Sequence, residues 1–144
     1  MVVKQELITE RLIELDTVLT ELARYRGITT AQLKQSLSQR WIVERGLMAA
    51  ANLIFDVADH ILSGQFGLYP ETYESSLELL ADKGIITQEL YQDIKGLGGL
   101  RNLLVHEYAR VDVEKVPGHL NKALTIFPRL SQAIQRWLEQ NPIV

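Results

Sequence analysis

The chain has 144 residues, of which 47% are hydrophobic and 23% are charged, values typical of one soluble globular domain. This composition excludes an intrinsically disordered chain, and the absence of cysteine excludes disulfides and thiolate chemistry. The formal net charge of −3 argues against a protein coated with positive potential for generic nucleic-acid binding, although a local basic cleft stays compatible with it.

No apolar run approaches the ~20 residues that a membrane-spanning helix needs. The first residues turn acidic and amphipathic at once, unlike a secretory signal. We therefore expect a cytoplasmic protein that does not enter a membrane, built as a single helical domain over residues 1–144.

The first predicted helix covers residues 4–25. Its apolar residues recur at spacings of four and three, which places them in one stripe along the helix. Gly27 is expected to end this helix, because glycine commonly follows a helix C-terminus. The stripe consists of Ile8, Leu12, Leu15, Leu19 and Leu22.

A second, long helix is predicted over residues 31–63, with Thr29 or Thr30 as its N-cap and Gly64 as its end. A helix of this length is expected to bend near Gly46. Its predicted inward-facing residues are Leu33, Leu37, Trp41, Leu47, Ile54, Ala58 and Ile61.

The third predicted helix is short and follows an irregular segment over residues 64–74. Pro70 with Glu71 is expected to start this helix, because proline is favoured at the first helical position. Gly84 is expected to end it.

A fourth and a fifth helix complete the predicted fold. Thr87 caps the fourth helix, over residues 87–108, and Asp112 caps the fifth, which reaches about residue 140 with a kink at Pro128. No strand-like alternation occurs along the chain. The sequence therefore predicts an all-α fold, an antiparallel bundle of four to five helices.

Three glycines, Gly96, Gly98 and Gly99, fall inside the fourth predicted helix. Each costs about 0.5–1 kcal/mol relative to alanine, so their presence requires a reason. A phosphate-binding loop is disfavoured, because no strand precedes the glycines and GLGG matches neither the P-loop nor the dinucleotide fingerprint. Close approach of another helix is the favoured explanation.

Asp56, Asp59 and His60 place carboxylates and an imidazole on one predicted helix, which could form half of a metal site. No second cluster of His, Cys or paired carboxylates completes that site. A lightly paired or solvent-facing polar stripe is therefore favoured. Trp41 and Trp137 are most simply core or interface anchors.

The stretch RNLLVHEY, residues 101–108, carries side chains that suit phosphodiester chemistry. A histidine with a pKa of ~6.5 can act as general acid or base, and an arginine can hold a phosphate bidentately. On an ideal helix, however, Arg101 and His106 lie ~140° apart. Either the helix loosens near His106, or the two groups meet between two copies of the chain. Spacing alone favours a simpler interpretation, a helix end with a half-buried tyrosine.

Arg101, His106 and Tyr108 also resemble the R-x4-H-x-Y signature of HEPN-domain toxins of the HepT type. The resemblance extends over nearly the whole chain and is supported by further landmarks of that family. These landmarks are Glu44-Arg45, Asp56, His60, Pro70, Tyr73 and Gly99-Leu100.

This resemblance implies the toxin of a prokaryotic toxin–antitoxin pair, a helical homodimer that can assemble further with its antitoxin. The implied antitoxin is a nucleotidyltransferase of the MNT type. The implied activity is that of a metal-independent endoribonuclease without a cofactor, in which Arg and His form a composite cleft at the dimer interface. Attack by the 2′-hydroxyl of RNA would give a 2′,3′-cyclic phosphate.

The resemblance also implies a role for each residue of the motif. Arg101 would bind and stabilise the phosphate, and His106 would transfer protons. Asn102 would orient the histidine or contact the RNA. Tyr108 would accept AMP from ATP through the partner enzyme, which would neutralise the toxin.

Two other functions stay open alongside this one. The chain could be a non-catalytic binding subunit that docks a minimal nucleotidyltransferase, or a plain dimerisation bundle in which the motif only caps a helix.

Overall fold

All regular structure in residues 5–142, the range that the computed structural model describes, is helical. The all-α prediction is confirmed, although the predicted start of the first helix at Lys4 lies outside the described residues. Two of the five predicted helices are each divided in two, so seven α-helices occur in this range. They are α1 (Gln5–Leu22), α2 (Thr30–Gln35), α3 (Leu37–Phe66), α4 (Tyr73–Asp82), α5 (Gln88–Ile94), α6 (Leu97–His106) and α7 (Val116–Gln140).

The first division separates α2 from α3 at Ser36. This residue has an extended backbone, with φ −129° and ψ 99°, and its hydroxyl accepts a hydrogen bond from the amide of Gln39. The prediction of one helix over residues 31–63 is therefore wrong at its start. The prediction that Leu37 and Trp41 face inward is also wrong, because both are exposed, Trp41 by 62%.

Threonine caps begin three of the helices. Thr29 caps α2 and Thr87 caps α5, as predicted. The third helix of the prediction, α4, begins later than Pro70 and Glu71, because the hydroxyl of Thr72 accepts a hydrogen bond from the amide of Ser75.

Two other predicted helix ends are displaced. α3 continues past Gly64 to Phe66 and ends at Gly67, whose left-handed φ of 64° is the conformation that commonly closes a helix. Asp112 caps a short 3-10 turn over Val113–Lys115, so α7 begins only at Val116.

The long helix α3 lies antiparallel to α1. Arg11, near the start of α1, pairs with Asp56, whereas Leu22, at its end, lies against Gly46. A Cβ at position 46 would lie 2.5 Å from Cδ2 of Leu22, so the glycine permits this close approach. The whole predicted apolar stripe of α1 is buried in the interface.

The last helix, α7, packs against both α1 and α3. The buried ring of Trp137 lies 6.1 Å from the ring of Phe66, as measured between centroids. Trp137 is therefore a core anchor, whereas the exposed Trp41 lies outside the core and stays a predicted interface anchor.

Within the described range, α3 is long and apolar enough to cross a membrane by length and composition. The expectation that no apolar run approaches the length of a membrane-spanning helix does not hold for α3. Of its most apolar stretch, however, 56% is buried inside the bundle. Its apolar side chains form the core of the domain.

Candidate active site

The predicted fourth helix is divided at Gly96, which adopts a left-handed φ of 98°. The carboxylate of Glu74, in the first turn of α4, accepts hydrogen bonds from the amides of Gly96 at 2.7 Å and Gly98 at 3.1 Å. A Cβ at position 98 would lie 2.7 Å from the backbone nitrogen of Glu74. The predicted close approach of another helix is therefore confirmed at Gly98. Glu74 itself occupies the amides that a phosphate would need.

Arg101, on α6, is held by side chains from α3 and α4. Its Nε donates a hydrogen bond to Oδ1 of Asn52 at 2.9 Å. Its guanidinium carbon lies 4.3 Å from the centroid of the Tyr73 ring, and that ring lies 4.9 Å from the ring of Phe55. Three helices thus converge on one guanidinium group.

His106 is the last residue of α6 and lies beside the same guanidinium. Nη1 of Arg101 is 3.4 Å from Nε2 of His106 and 3.4 Å from Oδ1 of Asn102. The helix ends at this point, because Glu107 leaves the helical conformation with φ −134° and ψ 39°. Arg101 and His106 therefore meet within one chain, without a contribution from a second copy.

Tyr108 lies beyond the end of α6, in a 3-10 turn over Tyr108–Arg110. The predicted helix over residues 87–108 is therefore too long at its end as well as interrupted. The predicted half-buried tyrosine is wrong, because Tyr108 is 73% exposed. Its side chain is therefore largely exposed to solvent.

A groove with a volume of about 1070 Å³ lies beside Arg101. Its walls come from α1, α3 and the segment around the start of α4. Among the described residues that line it, Arg101 is the single Lys or Arg, and the carboxylates are Glu14, Asp56, Asp59 and Glu71. Arg101 is therefore the single cationic side chain among the described residues that line this groove.

Asp56 is occupied by neighbouring side chains. Its Oδ2 accepts a hydrogen bond from Nε of Arg11 at 2.8 Å, and its Oδ1 lies 3.5 Å from Nε2 of His60. The hydrogen bond from Arg11 to Asp56 is the main cause that raises the pKa of Arg11. Within residues 5–142 no group of three or more His, Cys, Asp and Glu side chains could hold a metal ion. The arrangement matches the predicted lightly paired polar stripe.

Asn52 was not predicted as a site residue, and Tyr73 was predicted only as a family landmark, with no contact assigned to it. Both contact Arg101 across different helices, which the periodicity of one helix cannot reveal. One signal was present for Asn52, a single amide within the apolar run AAANLIF, residues 49–55.

Comparison with known proteins places this chain in a family. The family described as ribonuclease HepT-like matches residues 15–136. A tRNA nuclease HepT from Aphanizomenon flos-aquae is 32% identical over 133 residues, which cover 92% of this chain and 90% of that relative. An mRNA nuclease HepT from Shewanella oneidensis is 33% identical over 86 residues, which cover 60% of this chain and 65% of that relative.

Solved structures share the fold. The cytosolic protein YutE from Bacillus subtilis, of unknown function, superposes with a TM-score of 0.84 at 18% identity over 97% of this chain and 94% of its own, which shows the fold alone. A tri-AMPylated HEPN toxin from Shewanella oneidensis, in complex with MNT antitoxin, superposes with a TM-score of 0.80 at 25% identity over 92% of this chain and 99% of its own. The resemblance to the HepT type is confirmed, and this chain belongs to the ribonuclease HepT-like family.

Proposed function

We propose that this chain is the toxin of a prokaryotic toxin–antitoxin pair and acts in the cytoplasm as a metal-independent endoribonuclease. The observation that carries the proposal is the 3.4 Å approach of Nη1 of Arg101, which lines the groove, to Nε2 of His106. The relatives named tRNA nuclease and mRNA nuclease support RNA as the substrate.

The two side chains supply complementary parts of an RNA cleavage reaction. Arg101 binds the scissile phosphate and offsets the negative charge that develops on it. His106 takes the proton of the 2′-hydroxyl as that oxygen attacks phosphorus, or returns a proton to the departing 5′-oxygen. The P–O5′ bond breaks, which leaves a 2′,3′-cyclic phosphate and a 5′-hydroxyl. Asn102 orients His106 or contacts the RNA; its Oδ1 lies 3.4 Å from Nη1 of Arg101, the atom that also approaches His106.

A homodimer belongs to the same proposal. The reaction needs a base at the attacking oxygen and an acid at the departing oxygen, and each chain brings one His106 to the cleft. A twofold interface that joins two such surfaces would supply both histidines in one composite site.

Neutralisation by AMP transfer to Tyr108 forms the second part of the proposal. Tyr108 is exposed two residues beyond His106, and the Shewanella oneidensis HEPN toxin of the same fold is tri-AMPylated in complex with MNT antitoxin. A nucleotidyltransferase of the MNT type is the proposed partner. Each AMP added would carry a phosphate that can pair with Arg101 in place of the RNA backbone.

RNA cleavage by the purified chain in a metal chelator tests this function. The chain is produced without an antitoxin, and its intact mass is measured to establish that Tyr108 is unmodified. Wild type should cleave total RNA, and His106→Ala should lose cleavage. His119→Gln, a histidine change on α7 away from the groove, is the matched control and should cleave like wild type.

Equal cleavage by wild type and His106→Ala would remove His106 from the mechanism. Intact RNA after incubation with folded, unmodified wild type would contradict the nuclease. Tight binding of a nucleotidyltransferase by that same inactive protein would instead support the binding-subunit alternative.

A further inference from the structure

Arg101 is held by groups that carry no negative charge. Its Nε donates to the amide oxygen of Asn52, and its guanidinium carbon lies 4.3 Å from the centroid of the Tyr73 ring. Within residues 5–142 no Asp or Glu forms a salt bridge with it. A carboxylate partner would neutralise the positive charge of the guanidinium, which is the charge that attracts a phosphate. An amide oxygen instead fixes the guanidinium and leaves its positive charge unchanged.

The contact with Asn52 also selects which edge of the guanidinium is open. The group is planar and carries five N–H donors in a fixed arrangement. Because Nε points at Asn52, the edge that includes Nε is occupied, and the edge formed by Nη1 and Nη2 is the one that can bind a phosphate bidentately, although Nη1 also donates to Oδ1 of Asn102 at 3.4 Å. Nη1 is the atom that lies 3.4 Å from His106, so this edge would place the phosphate beside the histidine.

Tyr73 restricts the remaining freedom of the group, the rotation of its plane. The Tyr73 ring packs against the ring of Phe55, which is buried. It is also fixed relative to α6, because the adjacent Glu74 binds the amides of Gly96 and Gly98 just ahead of Arg101. The stacking contact is one that arginine forms readily with an aromatic face.

We infer that Asn52 and Tyr73 are positioning residues, which aim the Nη1–Nη2 edge of Arg101 at the phosphate next to His106 in the proposed ribonuclease reaction. Neither touches the reacting atoms. Asn52 fixes the direction of the side chain through Nε, and Tyr73 fixes the plane of the guanidinium.

The first arm of the test does not depend on activity. In the ¹⁵N-labelled chain, the Nε–H signal of Arg101 is assigned by its loss in Arg101→Lys. Asn52→Leu should shift this signal because the hydrogen bond is lost, and Tyr73→Leu should shift it because the ring current is lost. Tyr73→Phe keeps the ring and should leave the signal near its wild-type position.

The second arm measures RNA cleavage. Asn52→Leu and Tyr73→Leu should each lower kcat by about 10- to 100-fold, the range expected when a reacting group is displaced by about an ångström. Tyr73→Phe should retain kcat. Asn52→Asp keeps an acceptor for Nε but adds a negative charge, so it should raise KM for RNA.

The inference would be overturned if the Arg101 signal stayed unshifted in both leucine variants, or if it shifted while kcat and KM did not change. If a leucine variant fails to fold, Asn52→Ala or Tyr73→Met replaces it, because each still removes the acceptor or the ring. A wild-type chain that leaves RNA intact would count against the proposed function. In that case the shifted signals would still support Asn52 and Tyr73 as the groups that hold Arg101.

Discussion

Nη1 of Arg101 lies 3.4 Å from Nε2 of His106, although the two residues are ~140° apart around an ideal helix. The two side chains meet because the arginine side chain is long and because α6 ends at His106. The groups that we propose to bind phosphate and to transfer protons are thus adjacent within a single chain.

Substitution of Arg101 should separate the effect of its charge from the effect of its shape. Arg101→Lys keeps the positive charge but lacks the planar pair of donors, so we expect cleavage to fall on the order of 100-fold or more. The measurement is kcat/KM on RNA. Arg129→Ala is the control, because Arg129 pairs with Asp93 away from the groove. An Arg101→Lys variant near wild type would show that charge alone is sufficient.

Loss of the Tyr108 hydroxyl should block neutralisation without blocking cleavage. With a cognate nucleotidyltransferase and ATP, wild type should gain mass in AMP increments, and Tyr108→Phe should not. Tyr69→Phe is a matched control, because Tyr69 is 71% exposed and Tyr108 73%. AMP on the Tyr108→Phe chain, detected by intact mass, would place the acceptor elsewhere.

Alanine substitutions at the two neighbouring glycines of α6 should change the free energy of unfolding in opposite directions. Gly98→Ala should lower the free energy of unfolding by about 1–3 kcal/mol, because its Cβ would meet the backbone of Glu74. Gly99→Ala should raise the free energy of unfolding by about 0.5–1 kcal/mol, because its Cβ would meet nothing within 4 Å in the described structure. Urea unfolding measures both. A Gly98→Ala chain as stable as wild type would contradict the close approach of α4 and α6.

His119 should make the folded state less stable in acid. Burial, reinforced by Lys115 and Lys122, lowers the pKa of His119 below its ordinary value of 6.5. The unfolded chain therefore binds a proton at a higher pH than the folded chain does. The free energy of unfolding should fall as pH drops through 6.5 and should level off below the lowered pKa.

Urea unfolding at about pH 8 and about pH 5.5, in wild type and His119→Gln, measures this contribution. The glutamine variant should lose less stability than wild type between the two conditions. Identical losses in the two proteins would assign the acid sensitivity to other groups.

Local sequence pattern predicted the parts of this fold that depend on neighbouring residues. The apolar stripe of α1 repeats along one helix, and the caps Thr29 and Thr87 act within one turn. The breaks at Ser36 and Gly96 were missed. At Gly96 the break is stabilised by the carboxylate of Glu74, 22 residues earlier in the chain. The spacing of apolar residues along one helix does not reveal a hydrogen-bond partner so distant in the sequence.

The candidate site likewise combines features that the sequence predicts with features that only the tertiary structure determines. The chemistry proposed for Arg101, His106 and Tyr108 rests on their side chains and on their resemblance to the family motif, both of which are visible in the sequence. The hydrogen bond from Arg101 to Asn52 spans 49 positions, and its contact with Tyr73 joins two separate helices. Only the packing of α3, α4 and α6 against one another brings these groups together. The physical reason is that residue type supplies reactivity, whereas the direction of a flexible arginine is set by whatever the tertiary structure places around it.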